Sequence, residues 1–145
     1  MANKDNPKNG ADFEVAVERF LSSQHIPVQR NFPVLIGVGA TKRPKKFDLG
    51  SNAPKVVVEC KSHSWTEGHN APSAKMATWN EAMYYFSLVP NDHRKMFFVL
   101  LNRRKGDGET LATYYIRRFS HLIAHGVEIW EFDTVSETAN HLNSK

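Results

Sequence analysis

Apolar residues along this chain recur with two different periods, and the switches between them outline the fold. Over residues 11–23, Phe13, Ala16, Val17, Phe20 and Leu21 lie three or four apart, the spacing of one helix face. Asp12 and Glu14 stand in the first turn, where the helix dipole favours acids, and Pro27 closes the region. Residues 28–38 read as a strand around Val34, Leu35 and Ile36, broken by Gly37 and Gly39. A basic turn around Pro44 spans residues 42–45. Phe47, Asp48 and Leu49 form a short strand ended by Gly50, and residues 51–54 turn the chain. Residues 56–61 are the most strand-like segment, three valines followed by Glu59, Cys60 and Lys61. A polar loop over 62–73 leads to a helix over 74–88, with Met76, Trp79, Met83 and Phe86 on one face. The unbroken apolar run within 95–101 predicts a fully buried strand. Residues 110–125 read as a helix with Gly126 as its cap, 127–132 as a strand and 136–142 as a short terminal helix. This order predicts an α/β sandwich with a mixed sheet, because the first three strands are joined by short turns.

Strand alternation then sorts the polar residues. Glu59 and Lys61 share one face of their strand, and Cys60 points away with Val56 and Val58. In the preceding strand, Phe47 and Leu49 are expected in one layer and Asp48 opposite them. If the two strands pair through the turn at 51–54, Asp48 meets Glu59 beside Lys61. Neighbouring carboxylates repel each other, and a divalent cation relieves the repulsion; oxygen donors of this kind suit Mg²⁺ or Mn²⁺. Such a site serves phosphodiester cleavage, with metal against phosphate charge and an ammonium near the attacking water. The bland reading is a cross-strand salt-bridge cluster.

Composition changes this picture little. The 145 residues suit one domain, with a polar tail over residues 1–9 that lacks the apolar core of a secretory signal and a single domain over 10–145. One cysteine excludes an internal disulfide or a cysteine zinc site and fits a reducing cytoplasm. No apolar run approaches the roughly 20 residues of a membrane helix. Nineteen Lys and Arg against fifteen Asp and Glu leave a net charge of +4. The positive charge is clustered at Lys42, Arg43, Lys45 and Lys46, at Arg94 and Lys95, at Arg103, Arg104 and Lys105, and at Arg117 and Arg118. Any one cluster reads first as a solvated surface; together they tilt toward a polyanion. Trp65 and His63, just beyond Lys61, either meet a nucleic acid or anchor their loop from within. His121 and His125 stand four apart on the expected helix without an evident third ligand, and Ser62-His63-Ser64 makes a poor nucleophile and base pair.

Asp48, ten intervening residues and Glu59-Cys60-Lys61 after a valine-rich strand resemble the PD-(D/E)XK nuclease superfamily. The resemblance spans about residues 10–101. It implies a restriction-endonuclease-like αβββαβ core with a mixed central sheet flanked by helices. It implies Mg²⁺, with Mn²⁺ as a substitute, on Asp48, Glu59 and the backbone carbonyl of Cys60. Lys61 is implied to position or activate water, and an acid on the first helix completes the site, Glu14 first and Glu18 second. Phe47 stands where the family name has proline, and Asn80 with Tyr84 replaces a common Gln-x-x-x-Tyr. The expectation is a metal-dependent endonuclease acting on DNA, plausibly as a homodimer, without a small-molecule cofactor or membrane contact. The basic clusters at 42–46 and 103–105, His63 and Trp65 are its expected nucleic-acid contacts. The alternative is a non-catalytic nucleic-acid-binding or protein-docking module on the same fold.

Overall fold

The computed structural model describes residues 10–144. The tail over 1–9 lies outside the described residues. Helix α1 (Gly10–Ser23) is followed by β1 (Gln29–Ile36), β2 (Arg43–Asn52) and β3 (Lys55–Lys61). Then come α2 (Ser73–Leu88), β4 (Arg94–Leu100), α3 (Leu111–Phe119), a 3₁₀ turn (Ser120–Leu122), β5 (Val127–Asp133) and β6 (Thr138–His141). The six strands form one mixed sheet in the order β1-β2-β3-β4-β5-β6. β1–β2, β2–β3 and β5–β6 are antiparallel, while β3–β4 and β4–β5 are parallel. The parallel pairs follow from the crossovers that contain α2 and α3.

Both sheet faces are covered because the inner strands carry apolar residues on both sides. On one face α2 and α3 pack Trp79, Met83, Phe86 and Tyr115 against Phe47, Val57, Phe97 and Ile129. On the other, α1 packs Phe13, Val17 and Leu21 against Leu49, Val58, Phe98 and Phe132. β4 lies at the centre and contributes to both layers, which is why its sequence lacks the alternation of a half-buried strand. Burying side chains of this size contributes about 1.5–3 kcal/mol each. Among the described residues, no helix is long and apolar enough to cross a membrane.

Four expectations are corrected. The terminal segment is not a helix: Glu137, at φ 55, turns the chain, and Thr138–His141 returns as β6 along β5. Asp133 builds that turn by accepting the Val135 N–H at 2.8 Å. The helix expected over 110–125 ends at Phe119, and Gly126, at φ 81, turns the chain into β5 rather than capping α3. His121 and His125 therefore do not share a helix. The basic segment around Pro44 is strand, not turn. β3 pairs with β2 only from Leu49 onward, so Pro44 sits where β2 has β1 as its neighbour and a missing N–H is tolerated. Gly50 does not end β2 either. It faces Phe32 so closely that an added Cβ would lie 2.4 Å from Cδ2 and 2.8 Å from Cβ of that ring system.

Phe32 is 6% exposed, and an added methyl group would have to displace its ring. Gly50→Ala is therefore expected to lower stability by about 1–3 kcal/mol in urea unfolding, with an unchanged m-value. Unaltered stability would show that the ring has somewhere to go.

Candidate functional site

The site begins where β2 changes face. Phe47 belongs to the α2 layer and Leu49 to the α1 layer, although regular alternation would put both in one. The expected common layer for these two residues is thus corrected. The break falls at Asp48. The backbone N–H of Asp48 donates to Oε1 of Glu59 at 3.1 Å, and the backbone N–H of Cys60 donates to Oδ2 of Asp48 at 2.8 Å. Each carboxylate thus accepts a backbone N–H from the opposite strand. The strands are clasped by their acids at the point where the regular register of Leu49 with Val58 stops.

Two further side chains complete the group. Glu14, on the first turns of α1, lies close enough to Asp48 for the two charges to act on each other. Its pKa is raised to about 7 by burial first and by the negative charge of Asp48 second; Arg30 pulls the other way. Glu59 is 5% exposed and is also raised to about 7, by burial and then by Asp48, against the attraction of Lys45 and Lys61. Lys61, half-buried at the end of β3, lies close enough to Glu59 to act on its charge. Asp48 and Glu59 thus lie together near Lys61, and Glu14 reaches Asp48 from α1. Glu18 is half-buried on the same helix, and no contact with these groups marks it as a member. The Cys60 thiol packs toward the α1 layer, and burial pushes its pKa up.

Lys45 is the member that sequence reasoning placed elsewhere. It was expected on a basic surface, yet its Nζ lies 3.6 Å from Glu59 Oε1 and over the rings of Phe47 and Tyr85, at 5.3 and 5.0 Å. Alternation carries the signal, since Lys45 shares the α2 face with Phe47, two residues away. Lys42, Arg43 and Lys46 are exposed on the β1–β2 hairpin, and Lys42 Nζ donates to the Gly37 carbonyl.

The loop beyond Lys61 turns inward. Trp65 is 9% exposed. Its backbone N–H donates to Asn102 Oδ1 at 2.9 Å, and its indole N–H donates to the carbonyls of Asn102 and Glu109, both at 3.1 Å. Arg104 lies over its ring at 4.2 Å. Trp65 is a loop anchor in this structure, with no open face for a base. Arg104 is held by Asp107 and Glu109, whereas Arg103 and Lys105 are exposed. His63 Nδ1 accepts the Trp79 indole N–H at 2.8 Å, and burial, with Lys61 and Lys75 nearby, lowers its pKa to about 4. It is a neutral imidazole near pH 7 and brings no positive charge to the loop. Asn80 accepts from the Tyr115 hydroxyl at 2.8 Å and so ties α2 to α3.

Among the described residues, no three His, Cys, Asp or Glu side chains stand ready as a metal cage. The acids are held by two backbone N–H groups and by Lys45. Their all-oxygen donor set, and the burial and repulsion that raise two of them, fit a hard divalent cation.

No family model, curated protein or solved structure matches this chain. The chemistry of the site therefore rests on its own residues.

A folded-state pKa above the ordinary 4.5 means that the native chain binds more protons than the unfolded one between 4.5 and about 7. Stability contributed by these groups is therefore full at the acid end of that window and is lost as pH rises through it. In EDTA, Glu59→Gln should flatten this loss. At a pH about one unit above the window it should raise the unfolding midpoint by about 3 °C or more over wild type. A variant with the same pH profile as wild type would show that Glu59 is not strained.

Proposed function

We propose that this chain is a metal-dependent phosphodiesterase that hydrolyses DNA, built on a restriction-endonuclease-like core. One observation carries the reading. The Asp48 and Glu59 carboxylates are clasped across β2 and β3 near Lys61, with Glu14 beside Asp48, and burial and mutual repulsion work against their charge. A cross-strand salt-bridge cluster would pair its acids with bases and leave their pKa values low, and here the values are raised.

Asp48 and Glu59 would hold Mg²⁺ or Mn²⁺, with the Cys60 carbonyl as a further oxygen and Glu14 at the margin of the set. The ion supplies neutralisation of phosphate charge and a more acidic water. Lys61 offers its ammonium to the attacking water and to the oxygens that gain charge as the phosphorus–oxygen bond breaks. Lys42, Arg43 and Lys46 would hold the phosphate backbone from the β1–β2 hairpin, with Arg103 and Lys105 doing so from the neighbouring loop.

Supercoiled, linear, single-stranded and branched DNA, and RNA, incubated with Mg²⁺ or Mn²⁺ and with EDTA, test the activity. Cleavage of DNA should require the metal, and Lys61→Ala should lose about 100-fold or more while keeping the wild-type circular dichroism spectrum. Full activity in Lys61→Ala would refute the assignment. Binding has its own readout: Mn²⁺ should raise the wild-type unfolding midpoint and leave that of Asp48→Asn unmoved. A wild-type midpoint indifferent to both metals, together with no cleavage of any substrate, would leave a docking module in place of an enzyme.

A further inference from the structure

The opposite end of the same sheet holds a second arrangement. Lys95, expected on the surface with Arg94, is 4% exposed. It is the second residue of β4, in register with Val57 and Val127, so it lies on the face covered by α2 and α3. Glu59 and Lys61 are two and four residues farther along β3, which separates Lys95 from Lys61 by about 13 Å along the strand direction. Arg94 pairs with Glu128 at 2.8 and 3.0 Å. Lys95 has no such partner: among the described residues its ammonium forms no hydrogen bond or ion pair. Burial alone acts on it and lowers its pKa.

Lys95 lines a cavity of about 280 Å³, together with Asn91, His93, His125 and Gly126. That volume is several times the roughly 30 Å³ share of one water. No carboxylate lines it. Asp92, next to His93 in the chain, is committed elsewhere. Its Oδ2 accepts from Lys55 Nζ at 2.8 Å and its Oδ1 lies 2.9 Å from His93 Nδ1, which also orients that imidazole. Asn91, His125 and Gly126 are exposed, so the pocket opens to water, and the Lys95 ammonium meets it without a counter-charge; a stem that merely packs on the apolar layer could be methionine or leucine. The cavity therefore combines an uncompensated cation, two imidazoles and an amide, and excludes acids.

We propose that this cavity binds a phosphate group, with Lys95 as its counter-charge and Asn91, His93 and His125 as the surrounding polar walls. The site is separate from the acids at β2 and β3 and does not depend on the nuclease reading. A phosphate group could arrive as the free ion, on a nucleotide or at the end of a nucleic acid, and the chemistry at Lys95 is shared by all three.

Thermal unfolding and the histidine resonances of the full chain would be followed at constant ionic strength set with sodium chloride. The probes are inorganic phosphate, a nucleoside 5′-monophosphate, and a 5′-phosphorylated oligonucleotide beside its unphosphorylated twin. Inorganic phosphate should raise the wild-type midpoint by about 3 °C at roughly ten times its dissociation constant and move the His93 and His125 resonances. Lys95→Met should fold at least as stably as wild type in phosphate-free buffer and show neither effect, whereas Lys61→Ala should show both. Tighter binding of the monophosphate, or of the phosphorylated oligonucleotide over its twin, names the source. No response in wild type, an equal response in Lys95→Met, or a response lost in Lys61→Ala instead would overturn the proposal. Marked instability of Lys95→Met would also overturn it, by assigning the ammonium a purely structural role.

Discussion

Two acids fasten β2 to β3, and the rest of the candidate site is arranged around that clasp. Asp48 and Glu59 accept N–H groups across the strand gap, so the carboxylates do work that backbone carbonyls do elsewhere in the ladder. The exchange frees the strands from regular alternation for one residue and turns Asp48 toward Glu14. It also fixes both carboxylates in place without a cation. The hydrogen bonds supply geometry, whereas burial and mutual repulsion work against the charge. A site of this kind trades native stability for readiness to hold something positive.

The surroundings limit that cost. Lys45 stands 3.6 Å from Glu59, and its own charge is steadied by two aromatic rings. His63 contributes a neutral wall, because its Nδ1 lone pair accepts the Trp79 indole N–H and burial opposes a second proton on the ring. Trp65 closes the loop over the end of the sheet through three hydrogen bonds to Asn102 and Glu109. The second half of the chain thus supports a group of acids and a lysine that belong to the first.

Much of this was legible in the sequence because it depends on period and neighbour relations. The two faces of α1, the buried β4 and the meeting of Glu59 with Asp48 all follow from counting along a helix or a strand. What was not legible depends on side chains that bond to backbone. Phe47 and Leu49 part company because Asp48 and Glu59 replace ladder acceptors, which no alternation rule contains. The last strand read as a helix because its apolar spacing is ambiguous over so few residues, and pairing with β5 decided the matter. Basic residues were the hardest group. Lys45, Lys46, Arg94 and Lys95 look alike in a list of charges, yet one ion-pairs with Glu59, one is exposed, one pairs with Glu128 and one is buried without an acid.

The strand order carries a consequence for how the molecule forms. Every strand lies beside its successor in the chain, with no strand inserted later between two earlier ones. The sheet can therefore grow from one edge as a ribosome releases the polypeptide, each new segment docking on a finished border. Glu14, Asp48, Glu59 and Lys61 all precede residue 62, so the acidic group emerges early, before α2, β4 and α3 exist to bury it. Until then its charges remain hydrated and inexpensive, and the desolvation penalty arrives only with the final layers, when the apolar gain of closing both cores is there to outweigh it.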